Sequence, residues 1–518
     1  MESQPPKSER IVKNIFKGTV STQILQISTV ILNIIYSIIL LRLLPPREVG
    51  LLELSGAPIG ILFISTNLGL DSSIIHFLSK SKRNTESSVK DIMFTGFALR
   101  MTAVLFCAIL LLFLSENVAI FYGEPLIATL LRIKALHFFV SSLGGIAGAT
   151  FIAYHKYEYS IYILVSNQLL TLVVVPLLVI LGYGVIGAAI GELIAGTVLA
   201  AATLLVWKRF FPKDGADFHF KDTTKYLLAY GMPLAVGGVF SSISTNSGKL
   251  ILGAFGPPDW VAYYSLAYNI FNLPLKAAST TSTALFPTMS ELEAEKDGNY
   301  LAKTFRLITK YLAIISTVLV GSILIFADQV IVLLYTQRYS PAILLAQIMV
   351  IGNAFRFIGI PIGTLLLAQG KTKILTISSG VRLVTTIILE ILLILNFGLI
   401  GASVAKVLGS LSSTIFLILF TKSRLKQVSI NFNYLIKILC IFASSCVISF
   451  LLIDLLTSFG SFALYLVLFI LFVIIFRGFT KQDLAMLAPV LDFFPHRLSL
   501  FMRRLGMLFY SILRGEEQ

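Results

Sequence analysis

Long apolar segments recur along almost the whole chain and are separated by short polar turns. They run from Val20 to Phe476 and are 18 to 27 residues long. At a rise of about 1.5 Å per residue, each can cross a hydrocarbon layer of about 30 Å as an α-helix. The pattern predicts an all-α polytopic membrane protein with about fourteen transmembrane helices. The predicted spans are residues 19–43, 50–70, 91–115, 126–152, 159–181, 185–206, 228–254, 262–286, 311–335, 342–367, 374–396, 399–420, 438–456 and 460–476.

The amino-acid composition excludes a soluble fold. Of the 518 residues, 56% are hydrophobic and only 13% are charged, and the mean hydropathy is +0.88. Soluble domains have about 25% charged residues. The spans also leave no room for a soluble catalytic domain. All three cysteines lie within apolar runs and the five histidines are scattered, so we expect no disulfide, no metal site and no cofactor.

The distribution of basic residues predicts the orientation in the membrane. With the N-terminus in the cytoplasm, about thirty of the 41 lysines and arginines fall in cytoplasmic segments, and the outer loops hold only Arg42, Arg47 and Arg338. Cytoplasmic loops carry such an excess, so we predict a plasma-membrane protein with both termini in the cytoplasm. The net charge of +15 then reflects topology and attraction to anionic membrane lipids, with no need of nucleic acid.

Three turn motifs return at nearly constant spacing, which indicates an internal repeat. The matches are Leu44–Val49 with Gly256–Val261, Tyr183–Ala189 with Phe397–Ser403, and Ala153 and Lys156 with Ala368 and Lys371, at offsets of 212, 214 and 215 residues. Each unit holds six spans, so the two units are parallel, an arrangement that builds transporters with the substrate site between the halves. The predicted organisation is a basic N-terminus at 1–18, an N-lobe at 19–210, a cytoplasmic linker at 211–227, a C-lobe at 228–424, two further helices at 425–477 and a cytoplasmic amphipathic tail at 478–518.

Eight basic residues are predicted within the spans, and the acidic residues that oppose them are Glu53, Asp71, Glu192 and Glu390, with some of both sets near span ends. A charge at the centre of a span costs roughly 2.5–3.5 kcal/mol, so these groups must pair, reach the membrane surface or line a hydrated cavity. The excess of cations indicates an anionic cargo such as phosphate or diphosphate, whose usual partners are arginine and lysine. Glu53 and Asp71 are candidates for ion coupling, although a structural role suits them equally. Glu192 and Lys406 occupy equivalent positions of the repeat. A structural ion pair and a role in transport suit them equally.

Polar residues at helical spacing give several predicted helices one polar face each. Asn269, Asn272 and Lys276, for example, lie at positions i, i+3 and i+7 of one span, on the same side of a helix. Single serines and threonines are more often hydrogen-bond partners between helices than ligands, so the candidates are mainly cations and amides. The predicted substrate-binding residues are Lys249, Lys276, Arg356, Arg100, Arg382, Asn246, Asn269, Asn272, Asn353, Gln26 and Asn33.

Short motifs add a family resemblance. They are Leu285–Ser290, the Gly-x-x-Gly-Ala turns at Gly184–Ala188 and Gly398–Ala402, and Leu367–Lys371. Through these motifs the chain resembles, from about Lys13 to Leu484, the Wzx-like polysaccharide flippases of the multidrug/oligosaccharidyl-lipid/polysaccharide exporter superfamily, which also contains the MATE transporters. The resemblance implies two six-helix lobes around a cation-lined cavity, and alternating access that carries the head group of a lipid-linked sugar outward. The family has no strict signature, so the candidate residues depend on depth and helix face.

We therefore predict a flippase, not an enzyme, that moves a polyprenyl-(di)phosphate-linked oligosaccharide from the cytoplasmic to the outer leaflet for surface glycan assembly. We expect a monomer whose partners are this glycolipid and the membrane lipids. The main alternative is a cation-coupled multidrug exporter of the same superfamily, which the cationic bias disfavours. A membrane glycosyltransferase or polysaccharide polymerase would be expected to have a sizeable external loop, and every external loop predicted here is short. The two-lobed repeat disfavours a passive channel.

Overall fold

The computed structural model describes residues 28–81, 86–154, 156–210, 219–294, 298–424, 432–452 and 458–475, and within these ranges the chain is helical with no strand. The predicted N-terminus at 1–18, residues 211–218 of the predicted linker and the predicted tail at 478–518 lie outside them. The α-helices are α1 (Ser28–Leu43), α2 (Pro46–Ser65), α3 (Leu70–Ser81), α4 (Glu86–Tyr122), α5 (Leu126–Leu143), α6 (Gly145–Ala153), α7 (Tyr157–Leu178), α8 (Gly184–Trp207), α9 (Phe220–Phe255), α10 (Pro258–Ala294), α11 (Gly298–Tyr335), α12 (Ala342–Ala368), α13 (Thr372–Arg424), α14 (Phe432–Leu451) and α15 (Ser458–Ile475).

The chain is a multi-span membrane protein. Eight helical stretches among the described residues are long and apolar enough to cross a membrane, or nine when the bent pair within α12 counts as one span. Two of the eight, Glu158–Phe210 and Thr372–Ser423, are 53 and 52 residues long, about twice the length that one crossing needs. The predicted number of fourteen helices stays a prediction.

The helix α13 bends back on itself at Gly398. This glycine has φ 55° and ψ −131°, a combination that a side chain would strain. The two arms of α13 lie against each other, because the Ser378 hydroxyl donates a hydrogen bond of 3.3 Å to the Ser413 carbonyl. Closer to the bend, a Cβ built on Gly409 would lie 2.0 Å from the Thr386 hydroxyl. The arms therefore form an antiparallel helical hairpin.

Turns that match in sequence have the same backbone geometry. Gly184, at the start of α8, has φ 52° and ψ −139°, close to the angles of Gly398, its predicted repeat partner. The N–H groups of Lys156 and Lys371 each donate to the carbonyl five residues earlier, at 2.8 Å in both cases. The turns at equivalent positions of the two predicted lobes thus have the same backbone geometry and hydrogen bonds.

The two predicted lobes meet at the end of the bundle that basic residues predict to be the outer side. Here α2 packs against both α9 and α10. A Cβ built on Gly50 would lie only 1.8 Å from the Pro258 carbonyl oxygen, and the buried Tyr339 hydroxyl donates to the Leu44 carbonyl at 3.2 Å. The largest cluster of buried hydrophobic residues spans the same junction. The lobes are therefore tightly closed at this end.

Candidate functional site

The four acidic candidates Glu53, Asp71, Glu192 and Glu390 each lie beside a cation of the chain. Three form ion pairs within 3 Å, and the fourth, Glu390, interacts electrostatically with a buried lysine. The pairs are Glu53 with Lys249, Asp71 with Arg100, Glu192 with Lys134 and Glu390 with Lys406. Half of the eight intramembrane cations are thereby neutralised within the protein.

The Glu53–Lys249 pair joins the two predicted lobes. The Lys249 ammonium on α9 lies 2.6 Å from a Glu53 carboxylate oxygen on α2. The Lys249 side chain is 17% exposed and that of Glu53 is 34% exposed. Sequence analysis predicted Lys249 as a substrate ligand and Glu53 as a site of ion coupling, but in this conformation each neutralises the other.

The second pair lies within the predicted N-lobe. The Arg100 guanidinium is 1% exposed, and its Nη1 lies 2.9 Å from an Asp71 oxygen. The other Asp71 oxygen accepts a 2.7 Å hydrogen bond from the Asn67 amide, and the Phe63 ring lies 5.5 Å from the guanidinium. Arg100 and Asp71, predicted for substrate and for ion coupling, are therefore also mutual partners.

Glu192 and Lys406, which occupy equivalent repeat positions, do not pair with each other. Glu192 lies 2.9 Å from the Lys134 ammonium and accepts a hydrogen bond of 3.2 Å from the Tyr36 hydroxyl. Lys406 instead lies close to Glu390. Each predicted lobe thus has a residue with an oppositely charged partner at this repeat position, and the sign of that residue is reversed between the lobes.

Among the residues that the structure describes, Arg356 and Arg382 form no ion pair with an acidic residue. One Arg382 nitrogen donates to the Ser241 hydroxyl at 2.7 Å, while its buried Nε has no hydrogen-bond partner. The Arg356 guanidinium lies 5.5 Å from the centre of the Phe271 ring. The two guanidinium groups are close enough to repel each other. They are the cations in the best position to receive an anion.

Both arginines line one cavity of about 330 Å³. It lies between α10, α12 and the two arms of α13, and its wall combines the two guanidinium groups with hydroxyls and aliphatic side chains. No acidic residue lines it. The hydroxyl-bearing lining residues are Thr364, Ser378, Ser379, Ser413 and Thr414. A cavity of this size lies at the lower end of the range for ligand sites, and its chemistry suits an anion that also carries hydroxyl groups.

The other cations have different surroundings. Arg132 pairs with Glu116 at 2.6 Å, and the two side chains are 47% and 71% exposed, which is typical of a pair at the membrane surface. The side chain of Lys276 lies outside the described part of the structure, although its backbone belongs to α10.

Most of the predicted amides are not grouped around the two arginines. Asn353 is fully buried and donates to the Phe271 carbonyl, which ties α12 to α10. Asn246 and Asn272 each donate to a carbonyl of their own helix at 3.0 Å. Asn33 accepts a hydrogen bond from the Gln168 amide at 3.0 Å. Asn269 is exposed, and Gln26 lies outside the described residues.

Several residues that line the cavity or contact its two arginines were not among the sequence candidates. Ser241, which holds Arg382, begins the polar run of α9 that ends at Lys249, and this run was the available signal. The hydroxyl pair Ser378 and Ser379 precedes Arg382 on the same helical arm. Phe271 is apolar. The sequence pattern is the same whether such an aromatic ring packs against a guanidinium or within the hydrophobic core.

Comparisons with known proteins give a consistent result. The family model described as polysaccharide biosynthesis protein matches residues 39–344. A Haloferax volcanii protein named "Probable low-salt glycan biosynthesis flippase Agl15" is 23% identical over 206 residues, which are 40% of this chain and 42% of that protein. The structure of the lipid II flippase MurJ in an inward closed conformation superposes with a TM-score of 0.72 at 16% identity, over 89% of this chain and 99% of that one. An inward-facing multidrug resistance MATE family transporter of the MOP superfamily gives 0.67 at 17% identity, over 78% and 98%. These two likenesses show a shared fold.

Proposed function

We propose that this chain, which belongs to the polysaccharide biosynthesis protein family, flips a polyprenyl-(di)phosphate-linked oligosaccharide from the cytoplasmic to the outer leaflet. The observation that carries the proposal is the cavity lined by Arg356 and Arg382, two cations that no acidic residue neutralises within the described structure. The fold shared with MurJ and the flippase name of the Haloferax protein support the same function.

The physical basis is the charge balance inside the membrane. Two guanidinium groups near each other in a low-dielectric region repel, and each carries a cost of burial. A phosphate or diphosphate offsets both charges, and arginine binds its oxygens in a fixed fork geometry. The hydroxyls of the cavity wall suit sugar groups next to the phosphate. We therefore assign the phosphate contact to Arg356 and Arg382, with Lys276 as a third candidate, and assign Lys249 and Arg100 to internal ion pairs.

The wider arrangement is part of the proposal. Fourteen spans in two parallel six-helix lobes are supported by the hairpin of α13 and by the matching backbone angles of Gly184 and Gly398. The basic residues support cytoplasmic termini and a plasma-membrane location. We propose that a monomer moves the head group by alternating access, with no catalytic step. The tight contact of Gly50 with Pro258 then corresponds to a state closed on the outer side.

A cation-coupled drug exporter shares this fold but fits the charges less well. A cationic drug needs an acidic residue that is available to it. Glu53, Asp71, Glu192 and Glu390 each already lie beside a lysine or arginine, and none of the acidic residues that the structure describes lines the cavity. The unneutralised charge is positive, so the cavity favours an anion.

The proposal is tested with purified protein in liposomes that contain a fluorescent polyprenyl-diphosphate glycan. The variants are Arg356→Gln and Arg382→Gln, and Arg132→Gln is the matched control, since Arg132 forms an exposed pair. A hydrogen bond to a charged group contributes about 1.5–3 kcal/mol, so we expect flipping to slow by at least about tenfold in either cavity variant. The control variant should retain the wild-type rate. Wild-type flipping in the Arg356→Gln/Arg382→Gln double variant would overturn the assigned site.

A further inference from the structure

A second buried charge cluster lies close to Arg356 and Arg382, and none of its residues lines their cavity. Its centre is the Lys406 ammonium on the second arm of α13, where the side chain is only 4% exposed. The ammonium donates a hydrogen bond to the main-chain carbonyl of Ser244 on α9. The Tyr268 ring of α10 faces it, with the ring centre 5.0 Å from the nitrogen. A lysine in hydrocarbon is thus enclosed by three helical segments.

In the described part of the chain, buried oxygen atoms without a hydrogen-bond partner lie at and beside Glu390, the carboxylate that interacts with this lysine. Glu390, on the first arm of α13, is 0% exposed, and neither of its carboxylate oxygens has a hydrogen-bond partner of good geometry among the described residues. The Tyr264 hydroxyl is buried and also lacks a partner in this part of the structure. Both groups converge on Gly248, since a Cβ built there would lie 2.4 Å from the Tyr264 oxygen and 3.0 Å from a Glu390 oxygen. The Ser247 hydroxyl is a further neighbour of Glu390.

The other charges near Lys406 are Arg356 and Arg382, which repel it. Glu390 is therefore the carboxylate that offsets the ammonium. A carboxylate, a main-chain carbonyl, hydroxyls and an aromatic face are the groups that bind ammonium ions and small monovalent cations. Buried charges of this kind persist in proteins when they are paired.

We infer that the cluster of Ser244, Tyr264, Tyr268 and Glu390 is a monovalent-cation site that the chain fills with its own Lys406 ammonium. Because this cation is covalently attached, the cluster is filled without an exchangeable ion. In the predicted N-lobe, the repeat position of Lys406 is Glu192. The ammonium of Lys134 lies 2.9 Å from it and is likewise a cation supplied by the chain. Removal of the lysine side chain should convert the cluster into an open site for an alkylammonium ion.

The test uses Lys406→Ala, because this substitution removes three methylenes and the ammonium, which together correspond to propylammonium. Unfolding temperature is measured on purified full-length protein in detergent, at constant ionic strength, with propylammonium, sodium or potassium replacing choline. We expect Lys406→Ala to unfold at a lower temperature than the wild type and to regain stability with propylammonium in a saturable way. The wild type should not respond, since its site is filled. The uncharged analogue 1-propanol should have little effect.

Two control variants separate charge from packing. Lys406→Met fills the space of the lysine side chain without a charge. Lys406→Ala/Glu390→Gln leaves that space empty but removes the carboxylate. Propylammonium should therefore not raise the unfolding temperature of either variant. A response of Lys406→Ala no larger than its response to 1-propanol would overturn the inference, as would the same saturable response in the wild type.

Should Lys406→Ala not fold, Lys406→Met/Glu390→Gln is compared with Lys406→Met. The double variant should unfold at the higher temperature, because it leaves no uncompensated carboxylate, and a double variant no more stable than Lys406→Met refutes the pairing. Unfolding temperature does not depend on transport. Failure of this inference is therefore distinguishable from failure of the proposed flipping.

Discussion

The ion pair between Glu53 and Lys249 provides a sharp test of which cations are available to a substrate. The ammonium and the carboxylate oxygen lie 2.6 Å apart, at the junction of α2 and α9. If Lys249→Met is introduced alone, it leaves a carboxylate that is mostly shielded from water and has lost its partner. Glu53→Gln leaves an unpaired ammonium in the same place. Glu53→Gln/Lys249→Met removes both charges and keeps both side-chain volumes nearly constant.

The exposure of the two side chains sets the expected magnitude. Exposed pairs contribute up to about 1 kcal/mol, while removal of one partner from a fully buried pair costs about 3–5 kcal/mol. Lys249 is 17% exposed and Glu53 is 34% exposed, so the pair lies between these cases. We expect each single variant to lower the free energy of unfolding by about 1–3 kcal/mol. The double variant should recover at least about half of this loss.

The assay is a double-mutant cycle on purified protein, with the free energy of unfolding measured by denaturant titration in mixed micelles. The same four proteins are then compared in the liposome flipping assay. Since we assign the phosphate to Arg356 and Arg382, the double variant should flip the glycolipid at close to the wild-type rate. Two results would refute this reasoning. One is strictly additive losses of stability, and the other is a double variant that is stable but does not flip.

Two further predictions concern contacts that close and brace the bundle. Gly50→Ala should destabilise the closed junction and change the flipping rate, because the new Cβ would lie 1.8 Å from the Pro258 carbonyl oxygen; a cysteine cross-link across this junction that forms equally well in both proteins would contradict it. Asn353→Leu should cost about 1–3 kcal/mol of unfolding free energy, because the Phe271 carbonyl loses its buried donor. Flipping should persist in this variant, and a stable protein without activity would instead indicate a substrate contact.

The class of protein could be predicted from the sequence because it depends on local properties. Apolar runs and short turn motifs are sufficient to predict a helical multi-span membrane protein and its family, and both predictions are confirmed. The turn at Gly398 was also visible as a motif, and its backbone angles explain why glycine occupies it.

The partners of the intramembrane charges could not be predicted, because each pair joins two different helical segments. Lys249 and Glu53 are 196 positions apart, and Lys134 and Glu192 are 58 apart. Helical periodicity places a cation on a polar face but does not say whether an acidic residue from another helix already faces it. Arg356 and Arg382 stand out only after the pairs around them are known.

The hydrogen-bond partners of the amide side chains also could not be predicted from the sequence. Asn272 lies on the polar face that its spacing predicts, but its amide donates to the Tyr268 carbonyl one turn earlier. An asparagine in a membrane helix can bond to its own backbone, to a neighbouring helix or to a substrate. The sequence pattern is the same in all three cases, so the predicted substrate contacts of Asn246, Asn269 and Asn272 stay predictions.

The most direct test of the proposed function is the movement of a glycolipid by the wild-type protein alone. Purified protein is placed in liposomes with a fluorescent polyprenyl-diphosphate glycan, and a cationic dye serves as parallel cargo under a sodium or proton gradient. Accessibility of the glycan head group from the opposite leaflet is followed with time. We predict that the glycolipid crosses and the dye does not. Gradient-driven movement of the dye, with the glycolipid left in its original leaflet, would contradict the proposal and indicate a multidrug exporter.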